Sequence, residues 1–376
     1  MMISDDLVQT EEEFENLESG WNDLLEKSGS PSIFLTWEWM FTWWSYYSRQ
    51  RKLFLVLFRE GKNLVGIAPL LQEEEGKRGI KVQTLRFLGS DGPACSEFLD
   101  LIIAPGYEIK IHQRMAGFLQ EYRFAWDRVI LNPVSADGSH VHHLHRLASR
   151  AYLAESEKSL MCPYVKLPAD WNQFLASLSP NFRQQIRACV RKLESRKDIR
   201  YVADAQNRYP IPLLVDTLGE LNRQRMEQKG IDSTLKDSSF RRFLSDALER
   251  FQSRGWLGCS LLQKEQQILA VIFTFRYAKK IWYYQAGFLP EYASFRPGTL
   301  LFARTIQEAI EKGFLEYDFL RGEEQYKYRW GSTNRPAVTF HLYNRKFFPH
   351  MICYFRRART WLSEALHQGS SGHYNP

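Results

Sequence analysis

Cysteine is scarce and unpatterned. Five cysteines (Cys95, Cys162, Cys189, Cys259, Cys353) are scattered over 376 residues, with no CxxC pair. That spacing argues against a disulfide framework or a thiolate zinc site and fits a reducing compartment. Long hydrophobic runs are also missing. The most apolar window, FLTWEWMFTWWSYY (34–47), is too short to span a bilayer and contains Glu38. The opening MMISDDLVQTEEEFE has no apolar core of a secretion signal. No helix-turn-helix, RRM or zinc-finger signature occurs, so nucleic acid is not an expected partner. HVHHLHR (140–146) offers His140 with His143 and His142 with His145 at i, i+3, but no acid or cysteine supports them, and a solvent-facing helix accounts for them. These absences predict a soluble cytoplasmic protein with no membrane span and no metal.

What is present is a core-forming composition: 44% hydrophobic, 25% charged and 14% aromatic, the last a high share. The length suits about two domains at ~100–200 residues each. Net charge is +7, yet the first thirty residues hold nine acids and one base, so the remainder carries a surplus near +15. A positive body suits an anionic partner such as a phosphorylated small molecule.

The first half reads as helix (10–27), an aromatic helix from Thr36, and a hairpin of LFLVLF (53–58) and LVGIAPLL (64–71). Strands at 84–89 and 98–103, a helix at 108–122, a strand at 127–133 and a helix at 136–152 follow. The middle, LSPNFRQQIRACVRKLESRKD, is a helix with Ser179 as N-cap and Pro180 at its first position. Phe182, Ile186, Cys189 and Leu193 form its apolar stripe; Arg183, Arg187 and Arg191 form a second stripe beside it. The arginines are either a solvated face or a contact for an anion, and Arg183 and Arg187 are the candidates for binding substrate. The second half reads as strand (199–205), two helices (212–228, 238–254), three strands (256–263, 268–276, 281–288), a helix (298–312), and strands at 315–320 and 338–344. A terminal helix is expected over 349–366. The similar order of the two halves suggests duplication, without a residue-level repeat, and predicts an α/β fold with a mixed sheet.

In IWYYQAGFLPEYASFRPGTLLFARTIQEAI, an aromatic strand enters a loop and a helix begins at once. Helix N-termini expose unpaired N–H groups and about half a positive charge, which suits an anion. Gly298 allows close approach, Arg296 adds a forked cation, and Thr299 a hydroxyl. An ordinary helix start would look similar.

The order of three strands, this loop and helix, a strand and an aromatic turn resembles the GNAT acyltransferase fold. NFRQQIRACVRKLES, SFRPGTLL and YDFLRGEEQYKYRWG (317–331) together resemble the GNAT subfamily of CelD-like, cellulose-biosynthesis-type acetyltransferases. Those are bacterial proteins distantly related to the Fem peptidyltransferases, which carry two GNAT-like units. The resemblance runs from about Phe34 to Tyr343. It departs from the usual GNAT loop by having one residue, Pro297, between Arg296 and Gly298.

The resemblance implies tandem GNAT-like units forming one central cleft: a degenerate unit at 1–165, a basic linking helix at 166–198, an acyltransferase unit at 199–346, and a helix and tail at 347–376. It implies acetyl-CoA or another acyl-CoA as co-substrate, with pantetheine between two splayed strands and pyrophosphate on Arg296, Pro297, Gly298, Thr299 and Leu300. Backbone N–H groups around Gln285, Ala286 and Gly287 would polarise the thioester. Tyr326 or Tyr328 would protonate the departing thiolate. Asp318 is the candidate base or amine-orienting group, or else a structural anchor paired with Arg321 or Arg329. Lys327 is a candidate for substrate or developing charge, and Arg329 and Trp330 for substrate. The expected reaction is N-acyl transfer to a polar, anionic small-molecule amine or a cell-envelope or polysaccharide precursor. The alternatives are Fem-like transfer from charged tRNA and a non-catalytic binding protein of the same fold.

Overall fold

The computed structural model describes residues 2–29, 31–77, 80–94, 96–138, 140–227 and 234–344. The helix expected over 349–366 lies outside the described residues. In the first half, strands β1 (Ile3–Val8), β2 (Arg51–Glu60), β3 (Asn63–Lys77), β4 (Ile80–Phe87), β5 (Ile102–Ile103), β6 (Arg128–Ser135) and β7 (Leu153–Lys166) accompany five helices. These are α1 (Glu11–Glu15), α2 (Glu18–Lys27), α3 (Trp37–Tyr47), α4 (Glu108–Glu121) and α5 (His140–Ala148). Helices α6 (Trp171–Ser177) and α7 (Pro180–Glu194) lead to the second half. Its strands are β8 (Ile199–Val202), β9 (Leu257–Lys264), β10 (Gln267–Tyr277), β11 (Lys280–Phe288), β12 (Glu316–Asp318) and β13 (Thr333–Tyr343). Its helices are α8 (Ile211–Glu227), α9 (Ser238–Ser253), α10 (Pro297–Glu311) and the single turn α11 (Gln325–Tyr328).

The strands form one mixed sheet in the order β1-β2-β3-β4-β6-β13-β7-β12-β11-β10-β9-β8, with β5 beside β3. This is the mixed α/β architecture that the sequence predicts. Two neighbouring pairs are parallel, β4 with β6 and β11 with β12, each closed by a helical crossover, α4 and α10. Each half therefore repeats antiparallel strands, a helix and a parallel strand. Their last strands are exchanged: β7 pairs with β12, and β13 lies between β6 and β7. The division at 165/166 and the second unit's end at 346 thus do not separate two sheets. The strand read at 338–344 is longer and hydrogen-bonds to the first half.

One core spans both halves. Helix α3 buries eight residues, Trp37 to Trp44. Trp39 packs edge-on against Phe34 at 5.1 Å and Phe243 at 5.1 Å, and lies 6.2 Å from Phe275. Its indole N–H donates to Ser96 Oγ at 2.7 Å. Among the described residues no helix is long and apolar enough to cross a membrane.

Helix α7 begins as its sequence dictates: the Ser179 hydroxyl accepts from Phe182 N at 3.4 Å, and Pro180 sits in the first turn. Phe182, Ile186, Cys189 and Leu193 are its buried face. The helix presents Phe182 toward the second half's crossover, where the site lies.

Candidate active site

The site begins where a strand outlasts its partner. β11 pairs with β10 to its end but with β12 only over Lys280–Trp282, opposite Glu316–Asp318. β12 then stops, and Leu320 turns the chain at φ 56°. Residues 283–288 of β11 consequently border a gap. The β10/β11 register shifts at Phe273/Thr274, which leaves Tyr284 as the extra residue of a bulge. Beyond it, Leu289 N donates to Leu269 O at 2.9 Å. By strand alternation Gly287 and Gln285 also turn their backbone groups toward β10, whereas Phe288 and Ala286 turn theirs into the gap.

This alternation sorts the three expected backbone donors. Ala286 lines the pocket, together with Tyr283 and Phe288. Gln285 and Gly287 belong to the other face. A Cβ on Gly287 would come within 2.9 Å of Leu221 Cβ on α8, so glycine there serves helix packing.

Helix α10 starts at the rim of the gap. Arg296 is its N-cap in the left-handed conformation, φ 52° and ψ 51°, with no side-chain cap. Leu300 N is the first to bond back, to Arg296 O at 3.1 Å. Pro297 has no N–H, so those of Gly298 and Thr299 have no intrahelical acceptor. Space beside Gly298 is open to at least 4 Å. The Arg296 side chain is exposed and makes no hydrogen bond or ion pair among the described residues. A non-glycine residue held at positive φ, a bare helix start and an unpaired guanidinium coincide at one corner. Leu300 departs from expectation: it is fully buried on the core side of α10 and does not line the pocket.

The corner opens into a pocket of about 270 Å³. Pro297, Gly298, Thr299 and Phe302 of α10 form one wall, and Phe182 and Gln185 of α7 another. Tyr326, Arg329 and Trp330 close it from the turn after β12. The rings interlock: Phe302 lies 4.8 Å from Tyr283, 5.8 Å from Tyr326 and 5.9 Å from Trp330. Trp330 meets Phe182 edge-on at 4.9 Å. Arg329 stacks on Phe182 at 4.2 Å and donates to Gln185 Oε1 at 2.7 Å, which joins the turn to α7. Phe182, Gln185, Tyr283, Phe288, Ala293 and Phe302 were not anticipated as site residues. Phe302 could have been, since it follows Gly298 by four residues on the same helix face.

Other expected residues do different work. Lys327 is buried, and its ammonium donates to the carbonyls of Leu320, Arg321 and Gly322 at 3.3, 2.6 and 3.2 Å, with Glu324 at 3.0 Å. It holds the turn's shape and has no donor left for substrate. Tyr328 donates away from the pocket, to Asn334 Oδ1 at 3.0 Å and Glu323 Oε1 at 3.3 Å. Arg183 lies 3.5 Å from Ala176 O, and Arg187 is solvent-exposed; α7 reaches the pocket through Phe182 and Gln185 instead.

Asp318 faces the other side of β12 from Tyr317, whose hydroxyl is 3.0 Å from Thr305 of α10. It is fully buried, accepts from Leu320 N at 2.8 Å and pairs with Arg335 at 2.8 Å, so its partner is neither Arg321 nor Arg329. Arg321 pairs with the buried Glu97 at 3.1 Å. Burial pushes the Asp318 carboxyl up to about 7 against the pull of Arg335. It anchors β12, β13 and the turn rather than lining the pocket.

Residues 180–328 match the family model described as an acetyltransferase (GNAT) domain. The matched span runs from the first residue of α7 to Tyr328 and contains the whole pocket except Arg329 and Trp330. No curated protein matches the chain. Among solved structures, FemX superposes with a TM-score of 0.64 at 10% identity, covering 91% of this chain and 98% of that one. The C-terminal domain of a putative lysylphosphatidylglycerol synthetase from Agrobacterium fabrum gives 0.53 at 10% identity, over 92% and 95%. L-PGS from Bacillus licheniformis gives 0.51 at 12% identity, over 90% and 96%. At such identities the likeness is one of fold.

Proposed function

We propose that the chain transfers an acyl group from acyl-CoA to an amine, with the cofactor in the gap between β11 and β12. The observation that carries this reading is the bare α10 N-terminus beside Arg296, opening onto the part of β11 that runs on past its pairing with β12. Pyrophosphate oxygens would meet Gly298 N, Thr299 N and the Arg296 guanidinium. The pantetheine arm would lie along β11 among Tyr283, Phe288 and Phe302, whose rings exclude water from the thioester. The Ala286 N–H, directed into the gap, would stabilise the oxyanion of the tetrahedral intermediate. Tyr326, the tyrosine of the turn that lines the pocket, would give its proton to the departing thiolate.

Transfer from charged tRNA is the competing reading, because FemX shares the fold. Thermal shift separates the two, since a ligand bound only by the folded state raises its melting temperature. Acetyl-CoA and CoA are expected to raise it, and charged tRNA to leave it unchanged. A rise with charged tRNA and none with saturating CoA esters would reverse the assignment.

A further inference from the structure

We propose that a second cavity, on the opposite face of the sheet, binds a small primary ammonium compound that also carries a hydrogen-bond acceptor, such as an amino alcohol. This cavity is about 370 Å³ and lies where the two halves meet. Asp100, Ser135 and Asp137 contribute from the first half, and Lys280, Trp282 and Arg335 from the second. Tyr283 lines the acyl pocket and its neighbour Trp282 lines this one, so the sheet separates the two. The inference does not rest on acyl transfer.

The charges of the lining decide the sign of the ligand. Arg335 pairs with Asp318 and Glu316 at 2.8 Å each, and Lys280 pairs with the same Glu316 at 3.3 Å, so both cations already have carboxylate partners on β12. The first half's carboxylates are not neutralised in this way. Asp100 is 3% exposed; its carboxylate accepts from the backbone N–H groups of Leu101 at 2.8 Å, Val141 at 3.1 Å and His140, and it has no cationic partner among the described residues. Burial therefore pushes it up to about 7. Asp137 is exposed at the cavity and also makes no ion pair among the described residues. A cation entering here supplies what Asp100 lacks.

A separate observation fixes the rest of the ligand. Trp282 is 2% exposed, and its indole N–H has no hydrogen-bond partner among the described residues. A buried donor left unpaired is costly, and an acceptor on the ligand would satisfy it. An inorganic cation fits less well, because no group of three His, Cys, Asp or Glu among the described residues is arranged to hold a metal. An ammonium needs only a carboxylate or two and a hydroxyl such as that of Ser135.

Calorimetric titration of the full chain with ethanolamine, ethylamine, ethylene glycol and magnesium chloride tests this directly. Ethanolamine should saturate a single site, ethylamine should bind severalfold more weakly, and ethylene glycol should not bind. Asp137→Asn, an exposed change that spares the core, should weaken ethanolamine about tenfold, as loss of a charged hydrogen bond predicts. Trp282→Phe should bring ethanolamine down to the level of ethylamine. No ethanolamine binding, equal binding of the glycol, displacement by magnesium, or unchanged affinity in Asp137→Asn would each overturn the proposal.

Discussion

The two helical crossovers start from one plan and end with opposite properties. In the first half β4 pairs with β6 over Thr84–Arg86 and stops at Phe87, one residue later. In the second, β11 pairs with β12 over Lys280–Trp282 and continues for six more residues. Of the two, the second leaves a strand that runs well past its parallel partner. The helix starts differ in the same sense. Glu108 opens α4 and accepts from its own N–H, which holds its carboxyl below the usual range; the first crossover thus carries its own anion. Arg296 opens α10 with no capping side chain. The first parallel pair is also tied by Arg128 of β6 to Thr84 of β4 at 2.9 Å, and Arg86 of β4 pairs with Glu73 of the neighbouring β3 at 2.5 Å. The two crossovers thus differ in both respects that the proposed anion site uses: a strand longer than its partner and a helix start without a capping side chain.

The largest expected effect comes from the turn that closes the open crossover and has no equivalent at the closed one. Tyr326→Phe should slow turnover by about 10²–10⁴-fold, the usual worth of a general acid, with CoA affinity unchanged. Tyr328→Phe, whose hydroxyl bonds outside the pocket, should leave turnover near wild type. Steady-state kinetics of both variants decide it, and the reverse ranking would move the acid to Tyr328.

A smaller effect separates the crossovers by pH. Asp318 occupies the position that Ile130 holds in the first half, since Trp282 faces Asp318 as Arg86 faces Ile130. Its folded value of about 7 lies above the ordinary unfolded value near 4. Between the two, the folded chain keeps a proton that the unfolded chain releases, so stability falls as pH rises from about 4 to about 7 and levels off above. Asp100 shifts in the same direction and retains its share. Asp318→Asn should make the decline of melting temperature across that window shallower. An unchanged slope would mean that Asp318 stays ionised in the fold.

Much of the second half was legible in the sequence because its signals are local. Strands β9 to β11, helix α10 and the Ser179–Pro180 start of α7 follow from alternation, helical spacing and capping chemistry. The exchange of β7 and β13 was not legible. LAESEKSLMCPYVK carries charges along much of its length, and its strand state depends on partners in the other half, which no local pattern records. The gap was foreseen through resemblance, but its lining was not. The bulge at Tyr284 reverses strand parity, so Ala286 and not Gln285 or Gly287 reaches the pocket. Lys327 and Asp318 looked like chemistry because charged residues stand beside aromatics; burial among carbonyls and beside Arg335 makes them struts.

The central claim is that the α10 start holds a phosphate-bearing cofactor. Calorimetric titration of coenzyme A into the wild type, Arg296→Glu and Glu108→Arg tests it most directly. Arg296→Glu should weaken binding at least about tenfold, by loss of a charged contact and repulsion at the helix start, while Glu108→Arg should bind as the wild type does. Wild-type affinity in Arg296→Glu would contradict the claim.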